Sequence, residues 1–275
     1  MSKAWAASRQ SQKRVRAIAC EIVYRELCFL AALARNVVDL VFLPKGLHDI
    51  ETPHMVTRLQ QAIDATDTET YDAIVLAYGL CNNGTVGLRA GDVPLVIPRA
   101  HDCITFFLGS RQRYQEQFDE HPGTYYRTTG WSERNFSAVE GRVNDNLGLN
   151  RTYEELVRQY GEENARYIHE MTSGWQQYYD RIAYIDQGLE GRLRHDRRAE
   201  ADAEDRGWRF VKLPGDLGLL SRLLDGPWEE DEFLVVPPGC RITASNDERI
   251  LAARSAERAS RSSVDDGVPT EGRCT

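Results

Sequence analysis

No apolar run in this chain reaches the ~18 residues that a membrane-spanning helix needs, which excludes a helical membrane protein. Its opening stretch, Met1–Gln10, lacks the continuous apolar core of a secretory signal, so a cytoplasmic chain is expected. Cysteine is sparse: six in 275 residues cannot form a disulfide scaffold, and in the cytosol they would stay reduced. Basic residues are the minority, 34 against 42 acidic, and a net charge of −8 argues against general nucleic-acid binding. There is no Gly-x-Ser-x-Gly elbow, no His-Glu-x-x-His, no protein-kinase signature and no Cys-x-x-Cys knuckle. Nor is there an Asp-x-His-x-x-Gly run for holding a corrinoid, which would then be met on a partner protein. What is present is a packed-domain composition, 41% hydrophobic and 28% charged, and that excludes a disordered chain.

The first 110 residues alternate between two periodicities. Val15–Cys20, Val37–Leu43, Tyr71–Tyr78 and Val93–Pro98 read as strands. Tyr24–Arg35 and Met55–Ala65 read as helices, the second opened by Thr52-Pro53 as N-cap and first helical residue. Alternation of this kind predicts an α/β fold: a Rossmann-like, mostly parallel sheet with helices on both faces. The charged stretch Arg151–Arg206 reads as an all-helical insertion. Trp208–Leu213 and Phe233–Val236 read as strands rejoining the sheet, with a helix over Leu217–Leu224 between them. The expected layout is one α/β domain over residues 13–240, then a helix and flexible tail over 241–275.

The strands deliver reactive side chains to comparable places. Cys20 ends the first strand, Cys81 follows the third, and His101-Asp102-Cys103 follows the fourth. Ligands of open parallel sheets bind beyond the carboxyl ends of the strands. Thiolates and imidazole suit zinc, with iron or an iron–sulfur cluster as lesser options. In that reading Cys20, Cys81 and Cys103 are ligands, His101 is a fourth ligand or a proton-transfer group, and Asp102 orients His101. The plainer reading is that free cysteine is a common core residue and simply packs. Cys28 lies in an apolar helix and reads as packing; Cys240 is a further candidate, and Cys274 falls in the tail.

The turn YGLCNNG has the look of an anion cradle, with Gly79, Gly84 and Gly87 free to take positive φ beside Asn82 and Asn83. It matches no nucleotide-binding pattern, and a tight metal-bearing turn explains it better. Arg111 and Arg113 are candidates for an anionic substrate or a solvated helix start. His48, His54 and His169 read as surface residues, and Tyr125, Tyr126 and Trp131 as a pocket lining or an aromatic patch.

At ACEIVYREL, YGLCNNGTVGL, IPRAHDCITFFLGSRQRY and PGTYYRTTGW, and again at LPGDLGLLSRLLDG and FLVVPPG, the sequence resembles a known family. It is the bacterial and archaeal family catalogued as domain of unknown function 1638. The resemblance implies no settled activity. By genomic company it implies an accessory place in corrinoid-dependent methyl transfer, and it sets Cys20, Cys81, His101 and Cys103 on the family's motif residues.

Three function classes follow as expectations. The first is a metal-dependent enzyme of methyl-transfer or one-carbon metabolism, in which thiolate-bound zinc activates a small-molecule thiol or methylated substrate. The second is a non-catalytic accessory protein that docks on a corrinoid protein or methyltransferase. The third is a metal-dependent hydrolase, disfavoured because a thiolate-rich shell weakens the metal as a Lewis acid.

Overall fold

A computed structural model describes residues 12–49, 52–134, 153–162, 164–167, 178–189 and 191–255. Five strands form the main sheet: β1 (Arg14–Cys20), β2 (Val37–Leu43), β3 (Ala73–Ala77), β4 (Leu95–Pro98) and β8 (Phe233–Val236). They lie in the order β2-β1-β3-β4-β8, with every pair parallel except β4 with β8. The fold is thus mixed α/β with a mostly parallel central sheet. The residues explain the order. β3 (AIVLA) and β4 (LVIP) are buried along their whole length, as strands covered on both faces must be. β2 is only half-buried and takes an edge.

Helices α1 (Tyr24–Leu33) and α2 (Thr52–Asp64) cross from β1 to β2 and from β2 to β3. These crossovers run in opposite directions, and right-handed connections therefore leave the two helices on opposite faces. Helix α8 (Gly218–Asp225) packs beside α1 and over β3 and β4, burying Leu219, Leu220, Leu223 and Leu224. Helices α3 (Ile104–Leu108) and α4 (Arg111–Glu120) follow β4.

Three sequence expectations are corrected. Trp208–Leu213 does not rejoin the main sheet: β7 (Arg209–Pro214) belongs to a second, parallel sheet with β5 (Thr124–Thr128) and β6 (Arg181–Asp186). The stretch 151–206 is not all helical, because β6 lies inside it, between α6 (Tyr153–Tyr160) and α7 (His195–Arg206). Ile182, Ala183, Tyr184 and Ile185 of β6 are fully buried, and a six-residue strand between charged helices leaves little periodicity to read. Residues 240–255 are not a helix either. They form an antiparallel hairpin of β9 (Cys240–Ala244) and β10 (Leu251–Ser255), and the tail beyond lies outside the described residues.

The two sheets meet where α5 (Thr129–Glu133) sits on the 3-10 turn Glu21–Val23 that follows β1. A Cβ at Gly130 would overlap the Ile22 carbonyl, so only glycine permits this approach. It carries Trp131 to the carboxyl edge of the main sheet.

Candidate functional site

At that edge the loops after β3 and β4 are laced together. The Leu80 amide donates to the Ala100 carbonyl at 2.7 Å, and the Cys81 amide to the His101 carbonyl at 2.9 Å. A Cβ on Gly79 would come within 2.8 Å of the Ala100 oxygen, so this glycine serves close approach. Gly84 is likewise pressed against the Met55 side chain. Neither has positive φ, contrary to the cradle reading. The left-handed residues are instead Cys81 (φ 47°), Asn82 (φ 55°) and Asn83 (φ 65°), with Gly87 beyond them. Asparagine tolerates this region and cysteine does not favour it, so three in succession store strain. Such strain persists only where the surroundings over-determine it, and it concentrates at functional sites.

Cys81 and Asn82 open one wall of a pocket of about 210 Å³, with Asp102, Cys103 and Trp131 opposite and Leu47, Thr52 and Met55 completing it. Burial pushes the Cys20 and Cys81 thiols each up to about 12, and raises Cys103 further, with the neighbouring Asp102 charge adding to it. Cys103 acts on Cys20, Cys20 on Cys81, and Cys81 on Cys103, so the three thiols share one electrostatic neighbourhood. All three are protonated at neutral pH. The Trp131 indole N–H donates to the Cys103 sulfur. Over the face of that ring lies the buried Lys45, its Nζ 4.8 Å from the centroid, a cation–π contact. Lys45 is fixed in turn by its amide, which donates to Glu21 Oε1 at 2.8 Å. Glu21, Lys45 and Tyr114 were missed from sequence. Lys45 stands in a turn, Pro44-Lys-Gly, where a buried cation has no local signature.

His101 does not join the thiols. It is exposed and lines a different, larger pocket with Thr105, Arg111 and Tyr114. Asp102 does not orient His101. Its Oδ1 accepts from the Ile104 amide at 2.9 Å and its Oδ2 from the Tyr114 hydroxyl at 2.9 Å. Among the described residues, no group of three or more His, Cys, Asp or Glu side chains is arranged to hold a metal ion. The expected set of Cys20, Cys81, Cys103 and His101 is not gathered into such a group among the described residues. Arg111 is committed to the carbonyls of Glu248 and Asp231, and Arg113 to those of Leu108 and Pro214, so neither reaches the thiol pocket. Cys240 opens β9 and is buried. Cys28 sits half-buried on α1, and His54 is exposed on α2. Tyr125 packs with Tyr179 and Trp208 on the second sheet, and Tyr126 packs edge-on to Tyr114. His48 lies in the 3-10 segment Lys45–Asp49, whereas His169 falls outside the described residues.

No curated protein and no solved structure matches the chain. A family model does match, over residues 42–224, which is more than half of the sequence. The matched segment takes in Cys81, His101, Asp102 and Cys103 and begins after Cys20. The turn, the pocket wall and both laced loops thus lie within the matched segment, and the chain belongs to the family described as protein of unknown function, DUF1638.

Proposed function

We propose that the thiol pocket binds a small molecule of methyl-transfer or one-carbon metabolism, and that Cys81 and Cys103 are the groups that meet it. The observation that carries this reading is that Cys81 is both the first residue of the strained left-handed run and, with Cys103, a wall of the 210 Å³ pocket. Thiols held protonated are poor nucleophiles and poor ligands. The pocket therefore rests in an unreactive state, and a ligand that brings positive charge beside the sulfurs is what would release their protons. Zinc would act in that way. Among the described residues the sulfurs are not gathered into its ligand set. The non-catalytic reading, docking on a corrinoid protein or methyltransferase, draws on α7, whose exposed side carries Arg197, Arg198, Glu204 and Asp205.

The test is calorimetric titration of the purified protein with zinc and, separately, with homocysteine as a small thiol. Binding of at least one is expected in the wild type, and its loss in Cys81→Ser and Cys103→Ser with little change in melting temperature. Absence of heat from both probes, or binding undiminished in both variants, would favour the docking reading.

A further inference from the structure

Helix α4 is unlike the other long helices that flank the main sheet, because it has no buried residue. Arg111, Tyr114, Gln115 and Phe118 recur along it at i, i+3, i+4 and i+7, the spacing of one helical face. In α1, α2 and α8 such a face packs on the sheet. Here it lines a hollow of about 710 Å³, closed on the other side by His101, Thr105 and the β9–β10 turn at Asp247, Glu248 and Ile250. Pockets of that size hold cofactor- and substrate-sized molecules.

One observation points to a ligand, and a second shows that the opposite wall is held in place. Thr105 lines the hollow and is 1% exposed, yet its hydroxyl has no hydrogen-bond partner among the described residues. A buried hydroxyl left unmade costs free energy, and a bound acceptor or donor would recover it. Ile250, on the opposite wall, has φ 65°, which a β-branched residue adopts only under constraint. The constraint is visible. Arg99, buried behind the hairpin, donates to the carbonyls of Arg249 and Leu251, and Arg111 donates to that of Glu248. Two arginines thus hold the wall in a strained conformation that keeps the hollow open.

The lining indicates the kind of ligand. Phe118 exposes half its surface into this region, and the Tyr114 and His101 rings add two further flat faces. Gln112 and Gln115 each donate an amide hydrogen to their own helix, to Glu116 and Asp119, which leaves their carbonyl oxygens as acceptors. Charge argues against a phosphate: both terminal nitrogens of Arg111 are already bound to carbonyls, and Asp247 and Glu248 stand on the rim.

We infer that the hollow between α4 and the β9–β10 turn is a binding site for an uncharged planar heteroaromatic molecule of nucleoside size. The inference does not depend on the thiol chemistry.

The experiment is calorimetric titration of the full chain with adenosine, lumazine and riboflavin, and with AMP and flavin mononucleotide as phosphorylated counterparts. At least one uncharged probe is expected to bind with Kd below about 1 mM, at least tenfold tighter than its phosphorylated form where one is used. Phe118→Ala, at an exposed position, should weaken it at least tenfold. Thr105→Val should weaken it as well while raising the melting temperature of the free protein, because valine removes the orphaned hydroxyl without leaving a cavity. A purely structural threonine would not combine those two effects. Cys81→Ser should bind the probe as the wild type does, which separates this site from the thiol pocket. Failure of all three uncharged probes would overturn the inference, and so would binding indifferent to Phe118→Ala and Thr105→Val.

Discussion

The Tyr114 hydroxyl donates to Oδ2 of Asp102 at 2.9 Å, and the two residues line different pockets. This hydrogen bond links the thiol pocket to the hollow under α4, beside the bond from the Cys81 amide to the His101 carbonyl. Burial pushes the Tyr114 hydroxyl well above the ordinary phenol range, and the Asp102 carboxylate, which disfavours a phenolate beside it, adds to the shift. Tyr114→Phe removes a bond to a charged acceptor, and a loss of about 1.5–3 kcal/mol in urea-denaturation stability is expected.

The buried thiols make a reactivity prediction. Iodoacetamide at pH 8 should modify the half-buried Cys28 before Cys20 or Cys103, and mass spectrometry of partly labelled protein would give the order. The linkage has a definite sign. Folding raises these thiol pKa values, so the unfolded chain loses its protons first. Stability is fully present below about pH 9 and falls as pH rises toward 12. A denaturation series from pH 8 to 11 checks this, and a flat profile would count against protonated thiols.

Glu26, on α1, supplies a second titration. It is 1% exposed, neither carboxylate oxygen has a hydrogen-bond partner in another described residue, and burial pushes it up to about 7, with Glu133 adding to the shift. The charged form is disfavoured in the fold, so stability is lost as pH rises from the ordinary carboxyl range through 7. Glu26→Gln should remove that slope, a difference of about 3 kcal/mol between pH 4 and pH 8. Parallel profiles for the two proteins would refute it.

Two backbone predictions follow from the turn and the sheet junction. Asn83→Ala should cost about 1 kcal/mol and Asn83→Gly should cost nothing or stabilise, because only glycine enters the left-handed region freely. Gly130→Ala should cost about 3 kcal/mol or more through overlap with the Ile22 carbonyl. It should also shift Trp131 fluorescence to the red as the indole leaves Cys103. Equilibrium denaturation followed by fluorescence reads both.

The main sheet was legible because β1 to β4 and their helices each carry an unbroken period, and parallel order follows from their alternation. The same reading brought Cys20, Cys81 and Cys103 to one edge. It erred on His101 because adjacent residues leave a loop in different directions, and which pocket each lines depends on α4 and the distant β9–β10 turn. β6 was hidden by its charged flanks. The strain at Cys81–Asn83 was hidden for a different reason: glycines nearby offered an easier explanation for a turn, and only backbone angles distinguish close approach from positive φ. Lys45 and Trp131 meet across 86 positions of sequence, a contact that no local pattern contains.

The antiparallel strand β8 has a consequence for how the chain is made. β4 is buried on both sides only because Phe233–Val236 arrives to cover its outer edge, more than 130 residues later. Until then, a nascent chain that has already assembled β1 to β4 presents an unpaired, wholly apolar strand edge. Such an edge templates association with other chains. Synthesis at about 5–20 residues per second leaves it open for roughly 7–27 seconds. The interval during translation, rather than the finished fold, is where this protein is most exposed to aggregation, and a chain truncated before Phe233 would remain in that state permanently.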